Sequence, residues 1–111
     1  MAEFTGERVV PGRIDTDLWN EHFARYAFAA RLSRRKRVLD AGCGTGYGCA
    51  ELARSALRVT GADISLEAVS YAAEHYAGPN AQFLAASCEA LPFPDACFDL
   101  VVAFEVIEHL T

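Results

Sequence analysis

The sequence predicts an α/β domain: a parallel β-sheet in strand order 3-2-1-4 with flanking helices. Three observations carry this prediction. Short apolar runs at Arg37–Ala41, Arg58–Ala62, Ala81–Ala85 and Phe98–Phe104 read as buried strands, alternating with segments whose apolar residues recur at helical spacing. The first run empties directly into glycines at 42, 44, 46 and 48, and the residues after Gly46 read as the start of a helix. Finally, strand, helix and strand follow one another twice, and right-handed crossovers leave few ways to order them.

In chain order, residues 1–15 contain Gly6, Pro11 and Gly12 without a sustained period, which predicts an extended leader. Asp15 or Thr16 offers a helix N-cap. Leu18, Trp19, His22, Phe23, Tyr26, Ala27 and Ala30 then recur at helical spacing to about Leu32. His22 and Tyr26 share a face at i and i+4, as core residues or as contacts to a ligand. After the first strand, Gly48 to Ser55 continues the helix opened by the glycines, with Ala50, Leu52 and Ala53 as its expected buried side.

The second strand ends at Asp63, and Ser65 is the expected N-cap of a helix with Glu67 in its first turn. Val69, Ala72, Ala73 and Tyr76 form its apolar face, and Gly78-Pro79 ends it. The third strand is followed by Ala86 to Pro94, a proline-bearing loop at the strand's C-terminal end, where sheets of this kind bind ligands. The fourth strand, broken by Asp99, feeds Glu105 toward that same end.

Two features at that end point to a nucleoside-bearing ligand. Glycine tolerates positive φ and lacks a Cβ, so ligand atoms can approach the backbone N–H groups where a strand turns into a helix. Asp63 stands 21 residues after Gly42, near the interval at which such folds place a carboxylate for ribose hydroxyls. The glycine spacing departs from the dinucleotide fingerprint, because Tyr47 occupies the place of its third glycine.

Val38-Leu39-Asp40-Ala41-Gly42-Cys43-Gly44-Thr45-Gly46 resembles motif I of class I S-adenosylmethionine-dependent methyltransferases. The segment Leu91 to Val102, with Glu105-Val106-Ile107-Glu108-His109-Leu110, resembles the loop, fourth strand and following helix of that family's small-molecule branch. Phe4-Thr5-Gly6-Glu7-Arg8 and Trp19-Asn20-Glu21-His22 resemble the leader of some bacterial members. The resemblance implies a Rossmann-like fold and S-adenosyl-L-methionine as cofactor. It implies close approach at Gly42, Cys43, Gly44 and Gly46, ribose contact at Asp63 and cofactor contact at Ile64.

It also implies binding of the methionyl ammonium by Asp40, which is otherwise a turn-capping carboxylate. Adenine would be met by Ser87, where the family often has Asp, and by the backbone of Cys88. Leu91 either covers the ring or merely packs. Glu105 would border the methionine moiety and the substrate; Glu105 and His109 are candidate catalytic groups or the ordinary polar first turn of a helix. Residues 16–111 correspond to the cofactor-binding half. Members of this family continue through three further strands, so the chain reads as an N-terminal part whose fourth strand exposes an edge suited to a homodimer.

Composition narrows the alternatives. With 111 residues, 52% of them hydrophobic, the chain makes one small folded domain. A net charge of −5 argues against nucleic acid or an anionic membrane as partner. Arg31, Arg34, Arg35, Lys36 and Arg37 read as a solvated helix C-terminus rather than an RNA patch. No apolar run approaches the roughly 18 residues of a membrane span, and the N-terminus lacks a signal-peptide pattern, so a cytoplasmic protein is expected; the small-molecule substrate is what the resemblance implies. Cys43, Cys49, Cys88 and Cys97 form no C-x-x-C, so reduced thiols and no metal site are expected. Two rival readings stay open: a nicotinamide-dependent oxidoreductase, and a non-catalytic module that only binds ligand or dimerises.

Overall fold

The computed structural model describes residues 16–87 and 97–104, with side chains in the first helix from residue 23 onward. Expectations for the leader, for the side chains of Leu18, Trp19 and His22, for Cys88 and Leu91, and for Glu105 and His109 lie outside the described residues. The elements are α1 (Thr16–Leu32), β1 (Arg37–Ala41), α2 (Tyr47–Ala53), β2 (Arg58–Asp63), α3 (Leu66–Tyr76), β3 (Ala81–Ala85) and β4 (Leu100–Val102).

The four strands form one parallel sheet in the order β3-β2-β1-β4, as predicted. Val38 lies level with Val59 on one side and with Leu100 on the other. Both central strands are almost wholly buried, including the polar residues Asp40 and Thr60.

Strand four is shorter than the expected Phe98–Phe104. It pairs only with Val38, Leu39 and Asp40, and its ladder opens where the Asp99 N–H donates to the Arg37 carbonyl at 2.8 Å. The Asp99 carboxylate is also the partner of Arg37, accepting from its backbone N–H at 2.9 Å and from Nε and Nη2 at 3.1 and 2.9 Å. The acidic residue that breaks the apolar run is therefore a clamp at the start of the strand. Arg37 correspondingly leaves the basic cluster assigned to a helix end. Only Arg31 lies in the last turn of α1, while Arg34, Arg35 and Lys36 form the connection to β1.

Ser65 caps α3 as expected, its Oγ accepting from the Ala68 N–H at 3.1 Å. That helix buries Ala68, Val69 and Ala72, whereas Ala73 is exposed, so its apolar stripe is narrower than predicted. In α2 Leu52 is buried as expected, but Tyr47, Gly48 and Cys49 complete the buried side while Ala50 and Ala53 are only half-buried. The difference follows from α1, which lies against α2 and is admitted by a glycine instead of by alanines.

One core cluster joins these layers: Tyr26, Ala29 and Ala30 of α1, Val38 and Val59 of the sheet, and Tyr47, Cys49 and Leu52 of α2. The Tyr26 ring meets Tyr47 and Phe104 edge-on, with centroids 5.4 and 5.1 Å away. No helix among the described residues is long and apolar enough to cross a membrane.

Candidate functional site

The C-terminal ends of β1 and β2 lie side by side, Ala41 level with Ala62, and β1 stops in a turn that needs unusual backbone. Gly42, Gly44 and Gly46 have φ of 83°, 58° and 94°, a region that side chains with a Cβ rarely adopt. The N–H groups of Gly42 and Cys43 both donate to the Ala62 carbonyl, at 2.7 and 2.9 Å. The glycine turn is thereby folded over the end of β2.

Asp63 completes this arrangement. Its Oδ2 accepts from the Gly44 N–H and its Oδ1 from the Ser65 N–H, both at 2.9 Å. One carboxylate at the strand end thus ties the glycine turn to the entrance of α3. Asp63 is 7% exposed, and a carboxylate has about four lone-pair positions, so acceptor capacity remains beyond these two bonds. Ile64 follows it with 74% of its surface exposed, an apolar side chain at the rim. The neighbouring strand end contributes Ser87, half-buried, one residue beyond the Ala86 N–H that donates to the Asp63 carbonyl at 3.0 Å.

Asp40, the penultimate residue of β1, is fully buried. Its Oδ2 accepts from the Tyr26 hydroxyl at 2.9 Å and from the Cys49 thiol at 3.5 Å, while its Oδ1 has no hydrogen-bond partner. Burial pushes the Asp40 carboxyl up to about 7. The Tyr26 and Cys49 hydrogen bonds oppose that rise, and the Asp63 charge adds to it. Hydrogen bonding with Cys43, then burial and the Asp40 charge, push the Cys49 thiol well up, so it stays protonated and can donate. A buried carboxylate with one orphaned oxygen fits a positively charged ligand group.

The structure therefore brings Asp40, Gly42, Cys43, Gly44, Gly46 and Asp63 together at the C-terminal end of the two central strands, with Ile64 and Ser87 at the border. Cys43 contributes through its backbone, its side chain being buried with Sγ 3.6 Å from the Gly44 carbonyl. Among the described residues, no group of three or more His, Cys, Asp or Glu is placed to hold a metal ion. A depression of about 190 Å³ lined by Arg58, Pro79, Asn80 and Gln82 lies at the opposite end of β2 and β3, away from these groups.

Sequence reasoning missed the support beneath the site. Tyr26 reaches Asp40 from 14 residues away, and a Cβ on Gly48 would fall 2.2 Å from its ring. The fourth glycine of the run thus makes room for a side chain, not for a ligand. A glycine inside a predicted helix was the available signal of such a close approach.

A family model described as a methyltransferase domain matches residues 38–111. The chain is 39% identical, over 96% of its length, to a probable S-adenosylmethionine-dependent methyltransferase of Mycolicibacterium smegmatis, of which it covers 41%. It is 37% identical, over 81% of its length, to the ubiquinone biosynthesis O-methyltransferase of Sinorhizobium medicae, of which it covers 37%. The crystal structure of the YcgJ protein from Bacillus subtilis matches with a TM-score of 0.65 and 28% identity, over 72% of this chain and 37% of that one. The chain spans about two fifths of the length of the curated relatives it matches.

Proposed function

The chain belongs to the class I S-adenosylmethionine-dependent methyltransferases, and we propose that residues 16–111 bind S-adenosylmethionine for transfer of its methyl group to a small-molecule acceptor. The observation that carries this reading is the pair of carboxylates, Asp40 and Asp63, flanking a turn of three positive-φ glycines. Asp63 has acceptor capacity left for the ribose hydroxyls, and the orphaned Oδ1 of Asp40 suits the methionyl ammonium. Ile64 and Ser87 border the space on the adenine side. Similarity to ubiquinone biosynthesis O-methyltransferases supports a small-molecule acceptor, with oxygen as the attacking atom. The dinucleotide alternative is disfavoured by Tyr47, a buried ring where the fingerprint has a glycine.

When bound, the cofactor supplies an electrophilic methyl group on a sulfonium. The chain's own work is binding and alignment. The glycine turn admits the ligand close to the backbone, Asp63 orients the ribose, and Asp40 offsets positive charge at the amino-acid end. Holding reactants in line and excluding water accounts for much of such a barrier, so a dedicated acid or base is not required.

Calorimetric titration with S-adenosylhomocysteine tests the reading, with its 2′-deoxy analogue and a nicotinamide dinucleotide as controls. Micromolar binding, about −8 kcal/mol at 1 μM, is expected for the first alone. The 2′-deoxy analogue should bind more weakly to the wild type, and the Asp63→Asn variant should discriminate less between the two ligands. No heat from folded protein, or tighter binding of the nicotinamide dinucleotide, refutes it.

The same proposal includes a cytoplasmic setting and a homodimer through β4, an edge strand among the described residues with Val101 58% exposed. Sedimentation at tens of micromolar tests the dimer; a strict monomer refutes it.

A further inference from the structure

Helix α1 carries none of the ligand-facing motif, yet one of its side chains reaches the centre of the site. Tyr26 is fully buried, fixed by edge contacts to Tyr47 and Phe104, and admitted only because residue 48 has no Cβ. Its hydroxyl donates to Asp40 Oδ2, and the Cys49 thiol takes the same oxygen, leaving Oδ1 over. We propose that Tyr26 is a positioning residue. It holds the Asp40 carboxylate so that Oδ1 alone remains for the cationic amino-acid end of the ligand, and ligand binding there expels the Asp40 proton. This rests on the cofactor reading above.

The chemistry follows from what surrounds Asp40. From α1 it meets the Tyr26 hydroxyl and from α2 the Cys49 thiol, itself hydrogen-bonded with Cys43 of the glycine turn; Asp63 of β2 adds negative charge. On the β4 side, Val102 pairs level with it and offers no charge. No cation is paired with Asp40 among the described residues, so burial favours its protonated form. An ammonium group pairs with the carboxylate and not with the neutral acid, so the proton leaves as the ligand arrives. Affinity should therefore rise with pH through the neutral range and level off above it. Tyr26 donates to the ionised form, so removing its hydroxyl should move that rise upward in pH.

The experiment is titration of the chain with S-adenosylhomocysteine between pH 6 and 8, in buffers of different ionisation enthalpy so that released protons are counted. For the wild type, affinity should climb about tenfold over this range, with about half a proton released per ligand at pH 7. Tyr26→Phe keeps the ring and removes the donor. Its affinity loss should be about tenfold at pH 6 and only about twofold at pH 8. An equal loss at both pH values would mark Tyr26 as a merely structural residue and overturn the inference. Should Tyr26→Phe lack a cooperative melt, Asp40→Asn decides: its binding should be weaker, independent of pH and without proton release. Persistent pH dependence in Asp40→Asn, or no proton release by the wild type, overturns the inference while leaving the cofactor reading intact. A wild type that binds at no pH overturns that reading, and the inference falls with it.

Discussion

Replacing Gly48 by alanine is the most discriminating single perturbation of this fold, because two effects of opposite sign compete at one atom. Gly48 lies in α2 and has ordinary helical backbone, so alanine there should gain about 1 kcal/mol of helix propensity. Against this, the new Cβ would sit 2.2, 2.3 and 2.4 Å from three atoms of the Tyr26 ring. Carbon atoms pack at about 3.5–4.0 Å, so the ring must retreat by more than about 1 Å. It has nowhere to go without leaving Tyr47, Phe104 or the 2.9 Å bond to Asp40.

Overpacking of this kind costs about 1–3 kcal/mol, and a broken hydrogen bond at a buried carboxylate about 1–3 kcal/mol more. The net expectation for Gly48→Ala is a loss of about 1–5 kcal/mol, read by urea denaturation with an unchanged m-value. A double-mutant cycle with Tyr26→Ala sharpens the test: once the ring is gone, Gly48→Ala should become neutral or stabilising. A single substitution that stabilises by about 1 kcal/mol would mean that propensity alone governs the site and that Tyr26 is not confined.

Two further predictions concern charge. Asp40 is held above its unfolded value of 3.8, so the folded chain binds the extra proton and stability falls as pH rises from about 4 to 7. Asp40→Asn should flatten that slope and raise stability at pH 8 by up to roughly 4 kcal/mol, even as it weakens ligand binding; a variant less stable than wild type at pH 8 refutes this. Asp99 behaves oppositely: its hydrogen bonds from Arg37 lower the carboxyl to about 2, so its contribution is present above about 4 and lost as pH falls toward 2. The pair is largely exposed, so the effect of Asp99→Asn should be small, confined to acid, and weakened by salt, as followed by melting temperature from pH 5 to pH 2.

Which features were legible in the sequence follows from their range along the chain. The bounds of β1 and β3 and the Ser65 cap are set by local periodicity and turn chemistry acting over a few residues, and the strand order by the fixed handedness of strand-helix-strand crossovers. The turn of three positive-φ glycines was legible for the same reason. What escaped was contact at a distance: Arg37 with Asp99, 62 residues apart, and Tyr26 with Asp40. Nothing in the spacing of an amphipathic helix says that one of its buried faces ends in a hydroxyl serving a carboxylate. On α2, Leu52 was legible but Ala50 and Ala53 are only half-buried, because the closest contact falls on Gly48, a residue with no side chain to register in an apolar stripe.

The carboxylate of Asp63 has a consequence for how quickly and how tightly a ligand can be taken up. Glycines have the widest conformational freedom of any residue, and freezing a run of them upon ligand arrival would oppose binding by about 1–2 kcal/mol for each residue ordered. Here Gly44 is held by Asp63, and Gly42 and Cys43 by the Ala62 carbonyl, all of them groups of the chain itself. A stretch rich in conformationally free residues is thus held by the strand beside it. For a ligand bound at this turn as proposed, association would require little ordering of the turn, the entropy having been lost during folding.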